Sequence, residues 1–298
     1  MDLSLLRTFL AVYRAGSLTR AAGQLKISQP TVTAQIRTME NQLGQQLFQR
    51  LARGVAPTSV ADELAAGVAV HLDALEAISE RALPTPDLLA KPLHLGGPAE
   101  LTSVRVLPAL AGLVNRGLKL RITHGLADDL LAGLAAARFD VVISTVRPRG
   151  RGLAAVPLAD EEFVLVCAPS WADRIDRAAL TRDPIRTLRG VPLIAYATEL
   201  PLIRRYWRAV FGIPASGSPA VIVPSLWGVL AAATAGIGIT VLPRYLCGRE
   251  LADGSLVALL SPAVPPVNTL YFAARIGTDN LPLISAVRTR LLDDAPNW

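Results

Sequence analysis

The first 45 residues divide into three short helical segments whose ends are marked by capping residues. In the first segment apolar side chains recur at helical spacing, at Leu6, Phe9, Leu10 and Tyr13. Gly16 follows it, and Ser17 is a suitable N-cap for a second helix over 18–25. After a two-residue turn, Ser28 can cap a third helix, which Gly44 ends. The chain must therefore begin with a compact helical unit whose second and third helices are joined tightly.

The third helix separates into an apolar face and a polar face. Its inward stripe consists of Val32, Ile36, Met39 and Leu43. Its outward positions are Pro30, Thr33, Ala34 and Arg37, with Gln29 at the exposed N-terminal end. Two short helices of which the second presents small polar groups are typical of a helix-turn-helix. Gln29 and Thr33 are suited to base edges, and Arg37 is better placed for a backbone phosphate.

A small β-wing is predicted after the third helix. Leu47 and Phe48 are expected to pack on the helical core, and 50–55 forms the wing, with Gly54 at its tip. An arginine beside a glycine turn, here Arg53, is a candidate for insertion into the minor groove. The alternative for each arginine taken alone is a solvated surface charge.

Basic charge is concentrated in the same N-terminal unit. Residues 1–58 carry seven basic and two acidic side chains, a net +5 out of +6 for the whole chain. A small, strongly basic unit favours a polyanionic partner, although a basic face that serves only solubility is the alternative. The sequence therefore predicts double-stranded DNA as a partner.

A long amphipathic helix is predicted next, in a linker and dimerisation segment over 59–88, and Pro84 and Pro86 stop it. Thr58 and Ser59 can cap it, and Asp62 and Glu63 suit its first turn. Its apolar seam follows alternating spacings of four and three residues, at Leu64, Val68, His71, Leu75 and Ile78. So long a stripe needs a partner, and a second copy of the chain is the natural one, as a homodimer or homotetramer. His71 is either a polar residue tolerated at the edge of the seam or a pH switch.

From residue 91 onward, short apolar strands alternate with helices. Strands are predicted at 93–96, 118–123, 139–144, 163–168, 193–196, 220–223 and 238–242, and the last helix at 281–292. This alternation is an α/β signature. The predicted fold class is therefore α/β overall, with an all-α winged helix-turn-helix at the N-terminus.

The N-terminal motifs resemble those of LysR-type transcriptional regulators. The matching segments are LRTF at 6–9, GSLTRAA at 16–22, LKISQPTVT at 25–33 and LFQR at 47–50. By position, the resemblance makes DNA contacts of Gln29, Pro30, Thr31, Thr33, Arg50 and Arg53. Arg37, together with Ser17 and Thr19 at the start of the second helix, completes the candidate set. Many members have arginine where this chain has Ala34, so one contact is expected to be missing.

For the rest of the chain the resemblance implies a two-lobed, type-2 periplasmic-binding-like domain. It rests on looser matches, such as Gly133-Leu134, 139–143 and 235–243. The implied domains are 1–58 for DNA binding, 59–88 for dimerisation and 89–298 for effector binding, with lobe one over 91–162 plus 268–298 and lobe two over 163–267. A small-molecule effector is expected between the lobes.

Candidate effector contacts follow from strand ends and helix starts in this implied fold. They are Glu100, Thr102, Ser103, His124, Thr145, Leu202, Ile203 and Ser225. Each of them is equally suited to local bonding as a cap or loop residue. Hydroxyls at helix N-termini favour an anion such as a carboxylate, whereas Glu100 argues against one unless it faces away.

Two alternatives are an enzyme and a DNA-binding protein whose C-terminal domain only oligomerises. An enzyme is disfavoured because the chain lacks the common nucleophile-elbow, phosphate-loop and zinc motifs, and no catalytic residue, metal or cofactor is predicted. A C-terminal domain that only oligomerises stays open. The chain has no apolar run of membrane-spanning length and starts without a signal peptide, so a cytoplasmic location is expected. Cys167 and Cys247 are predicted to be buried hydrophobes.

Overall fold

The computed structural model describes residues 2–51, 54–82, 92–149, 152–215 and 217–298, and divides into two compact units. Unit 1 comprises Met1–Ala99, Ala109–Leu158 and Tyr271–Asp294. Unit 2 comprises Glu100–Pro108, Ala159–Leu270 and Ala295–Trp298. No helix in these ranges is long and apolar enough to cross a membrane.

Unit 1 opens with the three predicted helices and the wing. The elements are α1 (Leu3–Ala15), α2 (Leu18–Leu25), α3 (Gln29–Leu43), β1 (Phe48–Arg50), β2 (Val55–Pro57) and α4 (Ser59–Ala82). Ser17 and Ser28 accept hydrogen bonds from Arg20 N and Thr31 N, as expected of N-caps. Gly16 and Gly44 end α1 and α3 in the left-handed conformation. The local capping signals therefore set these helix ends.

The wing is fixed to the helical core by backbone and side-chain hydrogen bonds. The Glu40 carboxylate accepts from the amides of Leu47 and Phe48 at 2.8 and 3.3 Å, which holds the start of β1 against α3. At the other strand, Val55 N donates to Gly16 O at 3.0 Å. Gly54 has φ +89°, and a Cβ there would lie 2.4 Å from that same carbonyl oxygen. Only glycine fits at this close approach of the two backbones.

The remaining part of unit 1 is a sheet with helices. Its elements are β3 (Leu93–Gly97), α6 (Leu107–Asn115), β4 (Leu120–His124), α7 (Ala127–Ala135), β5 (Val141–Ser144) and α14 (Pro282–Asp294). Strand β3 pairs in parallel with β4 and β5, and Tyr271–Ala274 of β11 (Val267–Arg275) pairs antiparallel with β5. Leu130, Leu134, Val142 and Ala273 form one buried cluster between α7 and this sheet.

Unit 2 is built on the end of a long strand. Its strands are β6 (Leu153–Cys167), β7 (Ile194–Ala195), β8 (Val221–Ile222), β9 (Ile239–Pro243) and β10 (Val257–Ala258). Its helices are α5 (Ala99–Leu101), α8 (Pro169–Ala172), α9 (Arg177–Arg182), α10 (Pro184–Thr187), α11 (Pro201–Phe211), α12 (Leu226–Thr234) and α13 (Arg244–Asp253), with α5 starting in unit 1. A π-helical turn over Thr102–Val106 and a 3-10 turn over Ala295–Asn297 complete the elements.

Strand β6 corrects one sequence prediction. A strand was expected at 163–168, but β6 begins ten residues earlier, at Leu153, and contributes residues to both units. Its last five residues pair antiparallel with β9, and Val166 and Cys167 also pair with β10. Pro157 and the acidic run 160–162 made the first part of this strand look like a loop.

Candidate DNA interface and effector site

Helix α3 presents the polar surface that its sequence predicts. Val32, Ile36 and Met39 are buried in the helical core, whereas Gln29, Pro30, Thr31, Ala34 and Arg37 are exposed and Thr33 is half-buried. The core that supports this face includes Phe9, Tyr13, Ala21, Ala22 and Leu47. The exposed face of α3 is therefore supported from behind by a buried helical core.

Gln29 and Thr33 form a hydrogen-bonded pair at the start of α3. Gln29 Nε2 donates to Thr33 Oγ1 at 3.0 Å, and Thr33 Oγ1 donates to the Gln29 carbonyl at 3.0 Å. Next to this pair, the hydroxyl oxygens of Ser28 and Thr31 lie 2.8 Å apart. This pairing orients the exposed Gln29 amide and leaves its Oε1 as an acceptor. An amide held in this way is preorganised for bidentate contact with a base edge.

The other candidate DNA contacts differ in their exposure to solvent. Thr19, Arg37 and Arg50 are exposed. Ser17 is half-buried, and its hydroxyl caps α2 by accepting from Arg20 N at 3.4 Å. Arg53 lies outside the described residues.

Helix α4 has two differently used faces. Ala61, Ala65, Ala69 and Leu72 are buried in the N-terminal core, a face that sequence reasoning missed because alanines carry a weak amphipathic signal. In the predicted seam, Leu64 and Val68 are half-buried and His71 and Leu75 are exposed, whereas the side chain of Ile78 falls beyond the described part. Near its start, Tyr13 Oη donates to Asp62 at 2.5 Å, and Thr58 Oγ1 accepts from Ala61 N. Burial raises the pKa of the Tyr13 hydroxyl, and the hydrogen bond to Asp62 raises it further. The hydroxyl therefore keeps its proton and stays a hydrogen-bond donor.

A buried ion cluster formed by Arg14, Asp73 and Arg275 lies on the buried face of α4. Asp73 is 6% exposed and Arg275 only 2%. Arg14 NH2 contacts the two carboxylate oxygens of Asp73 at 2.6 and 2.8 Å, and Arg275 donates through Nε at 2.8 Å. Desolvation lowers the pKa of Arg275, and the Asp73 charge opposes that shift. This cluster joins α1, α4 and β11, and sequence reasoning did not find it.

Of the predicted effector residues in unit 2, Glu100 and Ser225 are brought together. Glu100 accepts from Leu226 N at 2.8 Å and from Ser225 Oγ at 3.4 Å, and it is 9% exposed. The Glu100 carboxylate therefore occupies the N-terminus of α12, where a bound anion would otherwise sit. Ser225 in turn caps α12 through Gly228 N at 3.4 Å.

The remaining candidates of unit 2 lie directly after α5 or at the start of α11. Thr102 is fully buried, and among the described residues its Oγ1 has no hydrogen-bond partner. Ser103 is exposed. Leu202 and Ile203, at the start of α11, line a small void of about 10 Å³ together with Leu226. A buried hydroxyl without a partner is unusual and calls for a ligand or a water.

Two candidates belong to unit 1. His124 is exposed at the end of β4, and Thr145 is half-buried just after β5. The neighbouring Ser144 is buried, and its hydroxyl donates to Val146 O at 2.7 Å and accepts from Val146 N at 3.2 Å. Ser144 thus closes a local turn.

Comparison with known proteins identifies the class. Residues 3–62 match the family model described as bacterial regulatory helix-turn-helix protein, lysR family, and residues 86–296 match the LysR substrate binding domain. The chain belongs to the LysR family of transcriptional regulators, with a helix-turn-helix DNA-binding domain and an effector-binding domain. This is a family of regulators and not of enzymes.

Individual relatives extend this identification over the whole chain. The chain is 49% identical over 301 residues to the HTH-type transcriptional regulator AbaB of Streptomyces antibioticus, with 100% of both sequences covered. Among solved structures, a cysteine-to-aspartate variant of full-length OxyR from Pseudomonas aeruginosa has a TM-score of 0.78 at 22% identity, covering 99% of this chain and 97% of that one. Full-length LysG from Corynebacterium glutamicum, with bound effector Arg, has a TM-score of 0.69 at 20% identity, covering 100% and 99%. These two likenesses support the fold.

Proposed function

We propose that α3 reads operator DNA in the major groove through Gln29 and Thr33. Arg37 and Arg50 contact phosphates, and Arg53 enters the adjacent minor groove. The observation that carries this proposal is the hydrogen-bonded Gln29–Thr33 pair at the exposed start of α3. The Gln29 amide nitrogen has two N–H donors, so one can stay on Thr33 Oγ1 while the other and Oε1 bind the base edge.

The test is a selection of DNA from a random library with the wild-type chain, followed by binding measurements on the selected site. Gln29→Ala is expected to weaken binding by about 5- to 150-fold and to relax preference at one base pair, because a bidentate contact contributes about 1–3 kcal/mol. Arg50→Ala is expected to lower the salt slope by about one. Gln42→Ala, an exposed glutamine at the other end of α3, is the matched control. Equal affinity and preference for the Gln29 and Gln42 variants would contradict the proposal.

We propose further that the seam of α4 pairs with the seam of a second copy, as a homodimer or within a homotetramer. The seam residues Leu64 and Val68 are only half-buried and Leu75 is 51% exposed, although all three are large aliphatic side chains. Leu75→Glu is expected to raise the dissociation constant of the dimer in sedimentation experiments. Ala66→Glu, also exposed on α4, is the control that should leave it unchanged. A polar His71 on the seam is compatible with pairing. This assay does not distinguish a tolerated polar residue at the edge of the seam from a pH switch.

The effector is proposed to contact the predicted set that includes Thr102, Ser103, Leu202 and Ile203. The buried Thr102 hydroxyl without a partner supports this choice. Glu100 already supplies a negative charge at the start of α12, so we propose that the effector approaches it with hydrogen-bond donors and not with a carboxylate. In a thermal-shift screen, stabilising compounds should lose their effect in Thr102→Val. Stabilisation that leaves operator affinity unchanged would contradict the sensor role.

The division of labour along the chain is also a proposal. We assign 1–58 to DNA binding, 59–88 to dimerisation and 89–298 to effector binding, in a chain that regulates transcription in the cytoplasm and catalyses no reaction. A C-terminal domain that only oligomerises is the alternative, and the thermal-shift screen separates the two.

A further inference from the structure

A cavity of about 300 Å³ lies wholly within unit 2, and none of the predicted effector residues lines it. It is lined by the middle of β6, by α5 and the segment that follows it, by the first part of α13, and by Leu270 and Trp298. The residues that matter for its chemistry are Leu101, Arg105, Glu161, Tyr245, Gly248 and Trp298. Its volume is at the lower end of the range for small-molecule sites, about 300–1,000 Å³.

The acidic side chains of the cavity wall already have partners. Glu162 contacts Arg244 at 2.8 Å, Asp160 accepts from Thr269 at 2.7 Å, and Glu161 is hydrogen-bonded to Tyr245 and Asn268. Glu161 is also 8% exposed, and burial raises its pKa to about 7. The carboxylates are therefore satisfied, and the most buried of them carries only part of its charge at neutral pH.

Arg105 brings to the wall a charged group with an unsatisfied donor. Its Nε is buried without a hydrogen-bond partner among the described residues, and its guanidinium carbon lies 5.7 Å from the centre of the Tyr245 ring. A buried donor that makes no hydrogen bond destabilises the fold, and a charged donor does so more strongly. Arg105 also lines the cavity, so its guanidinium offers donors in a fixed plane next to an aromatic ring.

We propose that this cavity is a second ligand site that binds a small monocarboxylic acid with an apolar body. The carboxylate accepts from the guanidinium of Arg105, for which a planar carboxylate is the best geometric match. The apolar body packs against Leu101, Tyr245 and Trp298. A cationic ligand is disfavoured because it would have to displace the existing partners of the acidic side chains and would meet the charge of Arg105.

The site differs from the predicted effector site but shares a chain segment with it. Leu101 and Arg105 flank Thr102 and Ser103 in sequence, so a ligand on Arg105 restrains the backbone that carries the candidate effector contacts. Occupancy of the cavity is in this way positioned to modulate the response to the effector.

The experiment measures binding of phenylacetate to the full chain by calorimetry, with phenylacetamide as its neutral counterpart. Phenylacetate is expected to bind and the amide is not. Arg105→Gln should weaken the acid about 10- to 100-fold, as loss of a charge-assisted hydrogen bond requires. Gly248→Leu projects a side chain from α13 where a Cβ meets nothing within 4 Å, and should abolish binding by filling the cavity. Gly112→Leu is a helical glycine with equally open space elsewhere, and should bind as wild type does.

Three results would overturn the proposal. The first is absence of binding to the wild type by phenylacetate and by the aliphatic acid hexanoate. The second is unchanged affinity in both Arg105→Gln and Gly248→Leu. The third is loss of binding in Thr102→Val with retention in Arg105→Gln, which would assign the acid to the predicted effector site and leave the proposed function intact.

Discussion

Replacing Asp73 with asparagine is expected to destabilise unit 1 strongly. In the folded chain Asp73 neutralises two guanidinium groups, and Arg275 is only 2% exposed. The asparagine side chain would keep the shape and remove the charge, so that Arg14 and Arg275 would face each other across a neutral amide. The only other acidic oxygen in an ion pair with Arg275, among the residues that the structure describes, is that of Asp140, at 4.0 Å.

The size of the effect follows from the burial of the cluster. Removing one partner of a buried ion pair costs about 3–5 kcal/mol, because the remaining charge keeps its desolvation penalty and loses its compensation. The carbonyls of Leu134 and Phe139 still accept from Arg275, which favours the lower end of that range. Domains have a total stability of about 5–15 kcal/mol, so the variant should lose a large share of it.

The assay is urea unfolding of Asp73→Asn beside Asp293→Asn, an exposed aspartate of α14 in the same unit. The Asp293 variant should change the free energy of unfolding by no more than about 0.5 kcal/mol. The double variant Asp73→Leu/Arg275→Met should recover much of the lost stability, since apolar residues of similar volume often replace buried ion pairs without cost. A free energy for Asp73→Asn within about 0.5 kcal/mol of the control would refute the reasoning.

Three further predictions concern other parts of the chain. Burial raises the pKa of Glu161 from 4.5 to about 7, so the folded state binds this proton more tightly, and the free energy of unfolding falls by up to about 3 kcal/mol as pH rises through that window. In urea unfolding at pH 5 and pH 8, Glu161→Gln should therefore become more stable relative to wild type at the higher pH. A difference in the free energy of unfolding that is the same at both pH values would contradict this. Burial raises the pKa of Cys167 to about 11 and of Cys247 to about 12, so both thiols should resist a disulfide reagent in the native chain and react in urea; rapid native labelling would disprove it. Gly54→Ala should destabilise the wing region by more than Gly44→Ala in thermal unfolding, because both have positive φ but only Gly54 meets a carbonyl oxygen at 2.4 Å; equal losses would exclude a role for that contact.

The N-terminal unit was predictable because its signals are local. Ser17, Ser28, Gly16 and Gly44 each act within four residues of themselves, so helix ends could be placed to within about two residues. Gln29 is exposed because it lies at the start of α3, ahead of Val32, the first buried residue of the apolar stripe.

The buried charges could not be predicted because their partners are remote in sequence. Arg14, Asp73 and Arg275 are joined across as many as 202 residues, and each alone is typical of a solvated surface charge. Glu100 was a candidate ligand contact because nothing near it in sequence indicates that its carboxylate turns inward to Leu226 N, 126 residues away.

The alanine face of α4 gives this helix the mechanics of a lever arm. Because Ala61, Ala65 and Ala69 are buried against the DNA-binding core, the helix and the recognition surface turn together. The helix has 24 residues, which corresponds to about 36 Å. A tilt of about 10° at one end therefore displaces the other by about 6 Å, nearly two base-pair steps of about 3.4 Å. If the α4 helices of two copies pair as proposed, small rotations of the pair are amplified into a change in which phosphates the two DNA-binding units can reach.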